Sequence, residues 1–436
     1  MAQNLWKFTG EQGQLEGLQL GEGLLSLKEG LEEGRFTSEA VTTEPFHHMV
    51  VSWNGLFPPG SAAIIEGRIL QEGQWSPYIT WAHYTGGEEK TTLAQEPLPG
   101  AQLLDDELIL DPPARGFQVR AQLQRGQGGS PKFYQLAVTV KGDQGADCDF
   151  PDTSQLPKRV LLPAPAYAQN IRKPAIAMEI CSPTTLAVLL NARDPSAPHL
   201  PESLAARTLD PRTAIYGNWA FTMAAAGSLG YEAHVQYGHL GLLLRELAQG
   251  RSVGISVAYT HDPEDAKRPY LSGAMDATDG HLLALIGYEF EGDGGPENLH
   301  FYAADSYAHS DGAAYRKYPW RQLERAWQNR AAYVITGRYA QVPSPLEEYQ
   351  GKLRPGETPG TFQGPLPEGV ELFYSEQTTQ ETPVNYEAPL ITRANEKFHY
   401  DLQREGDKIQ LPQWKAQGSY TLYLLEKDGQ TKYKKL

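Results

Sequence analysis

Cysteine is scarce in this chain: 436 residues carry only two, Cys148 and Cys181. Two thiols do not make a disulfide framework, so each is read in its own setting. Long apolar runs are missing as well. No stretch approaches the ~18 consecutive apolar residues of a membrane-spanning helix, so no membrane span is expected. Positive charge is in deficit: 38 Lys and Arg against 53 Asp and Glu give a net charge of −15. That balance offers nothing to nucleic acid or to an anionic membrane. Met1–Lys7 contains no basic stretch leading into an apolar core, so no signal peptide is read. HExxH, paired CxxC and GxxxxGK[ST] patterns are absent, which leaves no metal site, phosphate loop or cofactor to expect. Internal repeats and low-complexity tracts are absent too.

What is abundant points to strands and turns: Gly 43, Pro 32, Tyr 23 and Trp 8, at an ordinary 40% hydrophobic and 21% charged. The length calls for two or three domains. Residues 1–150 read as an N-terminal β-sandwich, with strands at 49–53, 62–70, 116–123 and 133–140 between turn signals. Their alternation implies one buried and one wet face. The acidic tracts Asp105-Asp106-Glu107 and Glu88-Glu89 read as solvated surface. Cys148 falls in a loop-like setting, as a stray thiol.

From 151 to 340 the texture becomes α+β. Helices are expected at 183–192, 218–229, 240–249 and 319–328, with Gly230 and Gly250 just past two of them. Strands are expected at 159–162, 231–237, 252–259, 281–290, 299–305 and 331–339. Pro343, Pro345, Pro355, Pro359 and Pro365 mark 341–367 as a linker, and 368–436 reads as a small C-terminal β-domain, with strands at 369–374 and 419–425.

Chemistry gathers in the middle. Cys181 precedes Ser182, a good N-cap, and Pro183, which suits a first helical position, so the thiol sits at the mouth of a helix. There the macrodipole and free N–H groups favour a thiolate. The alternative is a buried cysteine packing as a small apolar residue. A thiolate nucleophile needs a base and a group to orient that base. His281 follows the Asp279-Gly280 turn and opens the apolar strand Leu282–Tyr288. His234, in a strand interior, and His239, at a helix cap, are weaker candidates. Asp305 ends the strand expected to pair antiparallel with that of His281, which makes the two neighbours. The Cys181 N–H and the Gln169 amide are candidate oxyanion donors. Trp219 and Trp327 are read either as cleft lining or, more simply, as core.

These segments resemble the papain-like cysteine peptidases of the bacteriocin-leader-processing type, in their stand-alone bacterial form. The carrying motifs are Gln169, Cys181-Ser182-Pro183-Thr184-Thr185, Tyr216-Gly217-Asn218-Trp219, Asp279-Gly280-His281-Leu282 and Ala304-Asp305-Ser306, with Tyr318–Trp327 similar to the family's closing helix. The resemblance spans about 159–337, more faintly Ser52-Trp53-Asn54, and does not reach 345–436. It implies a papain-like domain flanked by two β-sandwiches. Cys181 would be the nucleophile, His281 the base and acid, Asp305 the orienter, Gln169 the oxyanion donor, and Asn218 and Trp219 substrate-binding. The family usually has Asn before the aspartate and Pro after it, where this chain has Ala304 and Ser306. The expected partner is a peptide or protein substrate, with the β-domains as a means of holding a cell wall or glycan. An extracellular or cell-surface site in a bacterium is implied, the cytoplasm being the alternative. Two rival readings stand beside the peptidase: a catalytically silent binding or adhesion protein, and an amide-transferring enzyme with the same triad.

Overall fold

The computed structural model describes residues 4–85, 87, 90–93, 98–142, 150–196, 198–292, 295–344, 346–377 and 396–436. Cys148 and the Glu88-Glu89 pair lie outside the described residues. The chain is mostly strand, arranged in several sheets. Among the described residues no helix is long and apolar enough to cross a membrane.

The first part is one hydrogen-bonded network of strands built around three long ones: β1 (Val41–Leu56), β2 (Glu107–Gln124) and β3 (Lys132–Lys141). β1 lies between the other two, antiparallel to both. Alternation along β1 sends Met49, Val51 and Trp53 into the first core. The opposite face is not wet. Val50 joins the core of the middle part, and Ser52 and Asn54 are fully buried.

Those polar residues meet a strand edge. The middle sheet runs in the order β4 (Tyr231–Tyr237), β9 (Ala331–Arg338), β5 (Val253–Tyr259), β6 (Thr278–Phe290), β7 (Leu299–Ala304) and β8 (Tyr315–Pro319), antiparallel throughout, with 159–161 added to β6. β4 is its edge strand. Three alternate N–H groups of β4 each find a side chain of the first sheet. The Ala233 N–H donates to Asn54 Oδ1 (2.9 Å), the Val235 N–H to Ser52 Oγ (3.2 Å) and the Tyr237 N–H to Thr139 Oγ1 (3.0 Å). An edge that would otherwise invite another strand is thereby closed.

Five helices cover the middle sheet: α1 (Cys181–Arg193), α2 (Pro201–Thr208) and α3 (Trp219–Ser228) on one face, α4 (Leu240–Ala248) and α5 (Trp320–Ala326) on the other. α3 is apolar all round because it is buried all round. Its Ala220, Phe221 and Ala224 enter the first core, and its Met223, Ala225 and Ala226 enter the second.

The segment 341–367, expected as a linker, is built into the last part instead. Its short strands Leu346–Glu348 and Thr361–Gln363 pair with 431–433 and 408–410, and Phe362 and Leu366 are buried with Tyr374, Ile409 and Leu422. Pro355 lies in the edge strand Arg354–Pro355, where a missing N–H costs little. The larger C-terminal sheet contains β10 (Glu371–Gln377), β11 (Glu396–His399), β12 (Tyr420–Leu425) and β13 (Thr431–Lys435).

Candidate active site

Cys181 is the first residue of α1, and the first helical bond runs from the Thr184 N–H to the Ile180 carbonyl (3.0 Å). The helix therefore starts earlier than a Ser182 cap implies, with Ile180 at the cap position and no side-chain cap. Pro183 still fits, since first-turn N–H groups have no helical acceptor and its lack of one loses nothing. The Ser182 hydroxyl turns inward instead, 2.8 Å from both Thr222 Oγ1 and Tyr333 OH.

The Cys181 thiol is half-buried and hydrogen-bonds to His281. Burial pushes its pKa up. The hydrogen bond and charge of His281, together with the Leu282 and Ser182 N–H groups, outweigh burial and hold the thiol below its ordinary value. His281 Nε2 lies 2.9 Å from Asp305 Oδ1, so Nδ1 is the ring nitrogen left for sulfur. Burial favours a neutral ring, but the charge and hydrogen bond of Asp305, with Cys181 behind them, raise the pKa of His281 to about 10.

Asp305 follows β7, and His281 is the fourth residue of β6, whose antiparallel pairing with β7 sets Ala284 opposite Ala304. The carboxylate is buried, which alone would raise its pKa. His281 first, then the Tyr318 hydroxyl and the Tyr307 N–H, keep it lowered. Tyr318 OH donates to Oδ2 at 2.7 Å, Tyr259 OH to the same atom at 3.0 Å and the Tyr307 N–H to Oδ1 at 3.1 Å. Neither tyrosine was legible as part of the site, because an aromatic residue in a strand reads as core.

Gln169 is buried against the Asp305 loop. Its N–H donates to the Ser306 carbonyl (2.8 Å), Ser306 Oγ donates to its Oε1 (2.6 Å), and its Nε2 donates to the Ala177 carbonyl (2.9 Å). A proline after Asp305 would lack the hydroxyl that holds this amide, so Ser306 has a concrete task here.

The two expected substrate-binding residues stand at the start of α3. Asn218 is buried and its Oδ1 caps α3 by accepting the Phe221 N–H (2.8 Å). Trp219 is half-buried and packs on the middle core. Trp327 is fully buried and donates to the Ala331 carbonyl (2.9 Å). His234 is buried in β4 with its pKa lowered by burial, and His239 caps α4.

The acidic tract 105–107 is a correction to the reading of solvated surface. Asp106 is buried and accepts the Trp219 and Ala220 N–H groups at the start of α3. Burial raises its pKa to about 7 against those bonds, helped by Glu107 and Asp105. Its neighbour Glu107 accepts from Tyr237 OH (2.6 Å) and lies 3.1 Å from His48. The two helix N–H groups give this buried acid its hydrogen-bond partners while offsetting only part of the cost of burying its charge.

Among the described residues, no three His, Cys, Asp or Glu side chains gather as a metal site. A cavity of about 1050 Å³ lies where the three parts meet, lined by Phe57, Arg207, Val342, Val370 and Asp428 among others, and includes none of the groups around Cys181. A thiol whose proton is shared with a carboxylate-held imidazole is, chemically, an activated nucleophile.

Residues 161–335 match the model of the Peptidase_C39 like family, and Gln169, Cys181, His281 and Asp305 all fall inside that stretch. No curated protein matches the chain. Two solved structures are similar in small measure. One is a GH26-CBM35 β-(1,4)-mannanase of Podospora anserina, 12% identical, with 39% of this chain and 33% of that one covered and a TM-score of 0.19. The other is a cycloisomaltooligosaccharide glucanotransferase of Paenibacillus sp. complexed with cycloisomaltoheptaose, 11% identical, with 93% and 44% covered and a TM-score of 0.18. The chain spans less than half the length of either, and superpositions this loose carry no argument about fold or activity.

Proposed function

Since residues 161–335 place the middle of this chain in the Peptidase_C39 like family, we propose that it is a cysteine peptidase acting on a peptide or isopeptide bond. The supporting observation is the chain of contacts from the Cys181 thiol through His281 to Asp305, at 2.9 Å in its second link. On this reading 151–340 is a papain-like domain, flanked by β-sandwich domains on either side.

The reaction begins with the thiolate of Cys181 and a protonated His281. Sulfur attacks the scissile carbonyl carbon, an S–C bond forms, and the carbonyl electron pair moves onto oxygen. The Cys181 N–H at the helix start, and the Gln169 Nε2 hydrogen not engaged by Ala177, receive that oxyanion. As the oxyanion collapses, the C–N bond breaks and His281 gives its proton to the leaving amine. Neutral His281 then takes a proton from water, whose oxygen attacks the thioester. The C–S bond breaks, a carboxylic acid leaves, and the thiolate–imidazolium pair returns. Asp305 keeps the ring in one orientation throughout and stabilises its charge.

A peptide library compared between wild type and Cys181→Ala tests this. Cleavage should be lost completely in the variant, and iodoacetamide should label the wild-type thiol faster than an ordinary cysteine. A wild-type thiol no more reactive than free cysteine would sink the reading.

A further inference from the structure

The C-terminal part reaches the loop that carries Gln169. Arg172 ends the short helical turn Gln169–Ile171, and its N–H donates to the Gln169 carbonyl (2.9 Å). Its guanidinium is almost wholly buried. It lies 4.4 Å from the Phe398 ring of β11, 5.2 Å from the Tyr167 ring and 3.6 Å from Glu202 of α2. Glu202 in turn accepts from Tyr400 OH of the C-terminal part (2.5 Å). The same docking surface adds a Lys173–Glu371 ion pair (2.6 Å), a hydrogen bond from Ser203 Oγ to the Gly429 carbonyl, and Leu200 buried among Phe373, Tyr423 and Leu425. On the other side of the loop, Asp311 accepts the Ala168 N–H (2.7 Å) and Ser306 holds Gln169.

Gln169 therefore sits in a segment pinned from both directions, by the Asp305–Asp311 loop and by two aromatic residues from beyond residue 395. A buried cation held between rings and a carboxylate resists displacement, because moving it away from them would leave its charge uncompensated in the interior. We propose that Arg172 is a positioning residue and that the C-terminal part, through Phe398 and Tyr400, sets the Gln169 amide where the oxyanion forms. The inference rests on the peptidase reading. It assigns the C-terminal part a place in the catalytic body, beyond that of an appended binding module.

The test separates oxyanion binding from thiol activation in the full chain. Alkylation by iodoacetamide needs the Cys181–His281 pair and no oxyanion donor. An N-acetyl dipeptide aldehyde adds the thiol across its C=O: the S–C bond forms, and the oxygen, carrying the charge or the thiol proton, sits in the oxyanion site. Gln169→Ala is the benchmark, and loss of one such donor typically costs about 10²–10³-fold. Arg172→Lys, Phe398→Ala and Tyr400→Phe should each weaken aldehyde binding by about tenfold or more, in the direction of Gln169→Ala, since a misplaced donor forfeits part of that factor. The alkylation rate and its pH midpoint should stay at wild-type values. Amide exchange over 168–172 should quicken in the same variants, which reports the loop even where an enzyme assay is silent. Unchanged aldehyde affinity in Phe398→Ala and Tyr400→Phe overturns the proposal, as does an alkylation rate that falls in step with it. If wild type binds the aldehyde no better than Gln169→Ala, Gln169 is no donor and the inference falls. The Cys181–His281 pair is then judged separately by alkylation.

Discussion

Asp305 accepts hydrogen bonds from His281, Tyr259, Tyr318 and the Tyr307 N–H, and together they keep a buried carboxylate charged where burial alone would neutralise it. Asp305→Asn offers the ring an amide in place of a charge and should lower turnover by about 10²–10⁴-fold, with the fold intact by circular dichroism. The sign of the pH dependence follows from the shifts. His281 has its pKa raised in the fold, so its charged form stabilises the native state. That contribution is fully present below about 6.5 and is lost as pH climbs through about 10. The Asp305 contribution has the opposite sense, present above its ordinary value near 3.8 and lost as pH falls below it. The His281 contribution to the wild-type urea midpoint should therefore shrink as pH climbs from about 6.5 toward 10, and His281→Ala should flatten that alkaline drop. Cys181, His281, Asp305 and Gln169 could be singled out in the sequence because each stands at a turn or an element boundary, where a reactive side chain is free to face a cleft. Tyr259 and Tyr318 had no such mark. Asn218 had one, and its side chain caps α3.

At the scale of elements, α3 carries most of what was hidden. Its boundaries were legible from Gly230 beyond its end, but not that its two faces serve different cores. Nor was it legible that Asp106, from a hairpin turn of the first part, closes its N-terminus. Asp106 has its pKa raised to about 7, so the native state holds a proton that the unfolded chain gives up near 3.8. Stability should then fall as pH rises between those values, by up to about 1.4 kcal/mol per pH unit. Asp106→Asn keeps an oxygen for the Trp219 and Ala220 N–H groups and removes the titration, so its urea midpoint should vary less from pH 4 to 7 than that of wild type. Gly227 adds a steric constraint. A Cβ there would stand 2.8 Å from Asn54 Cα, and Gly227→Ala should cost about 1–3 kcal/mol in denaturant unfolding. The helix α2 went unread because eight residues with a Pro-Glu-Ser start show no clear apolar stripe. Its place is fixed by what docks on it, chiefly Tyr400 and Gly429.

At the scale of the molecule, the sequence divides more readily than the structure does. Composition shifts near 150 and 341 suggest beads on a string. Yet Ser52, Asn54 and Thr139, polar residues on the supposedly wet side of their strands, are the fasteners between the first sheet and the middle one. Side-chain alternation reports that a face is polar; it does not report whether water or another backbone satisfies it. Asn54 also bonds the Met223 carbonyl (3.1 Å) and Gln135 (2.8 Å), so Asn54→Ala should cost several unsatisfied groups at about 1–3 kcal/mol each. The first two parts should melt as a single calorimetric transition in wild type.

The closed edge of β4 has a consequence for anyone who trims the chain. A fragment starting near 151 would present the N–H groups of Ala233, Val235 and Tyr237 bare, as a docking rail for the first extended peptide that arrives. Such a fragment should self-associate strand to strand, with its oligomers visible by light scattering, and a row of three side chains would be what keeps the intact protein from recruiting copies of itself.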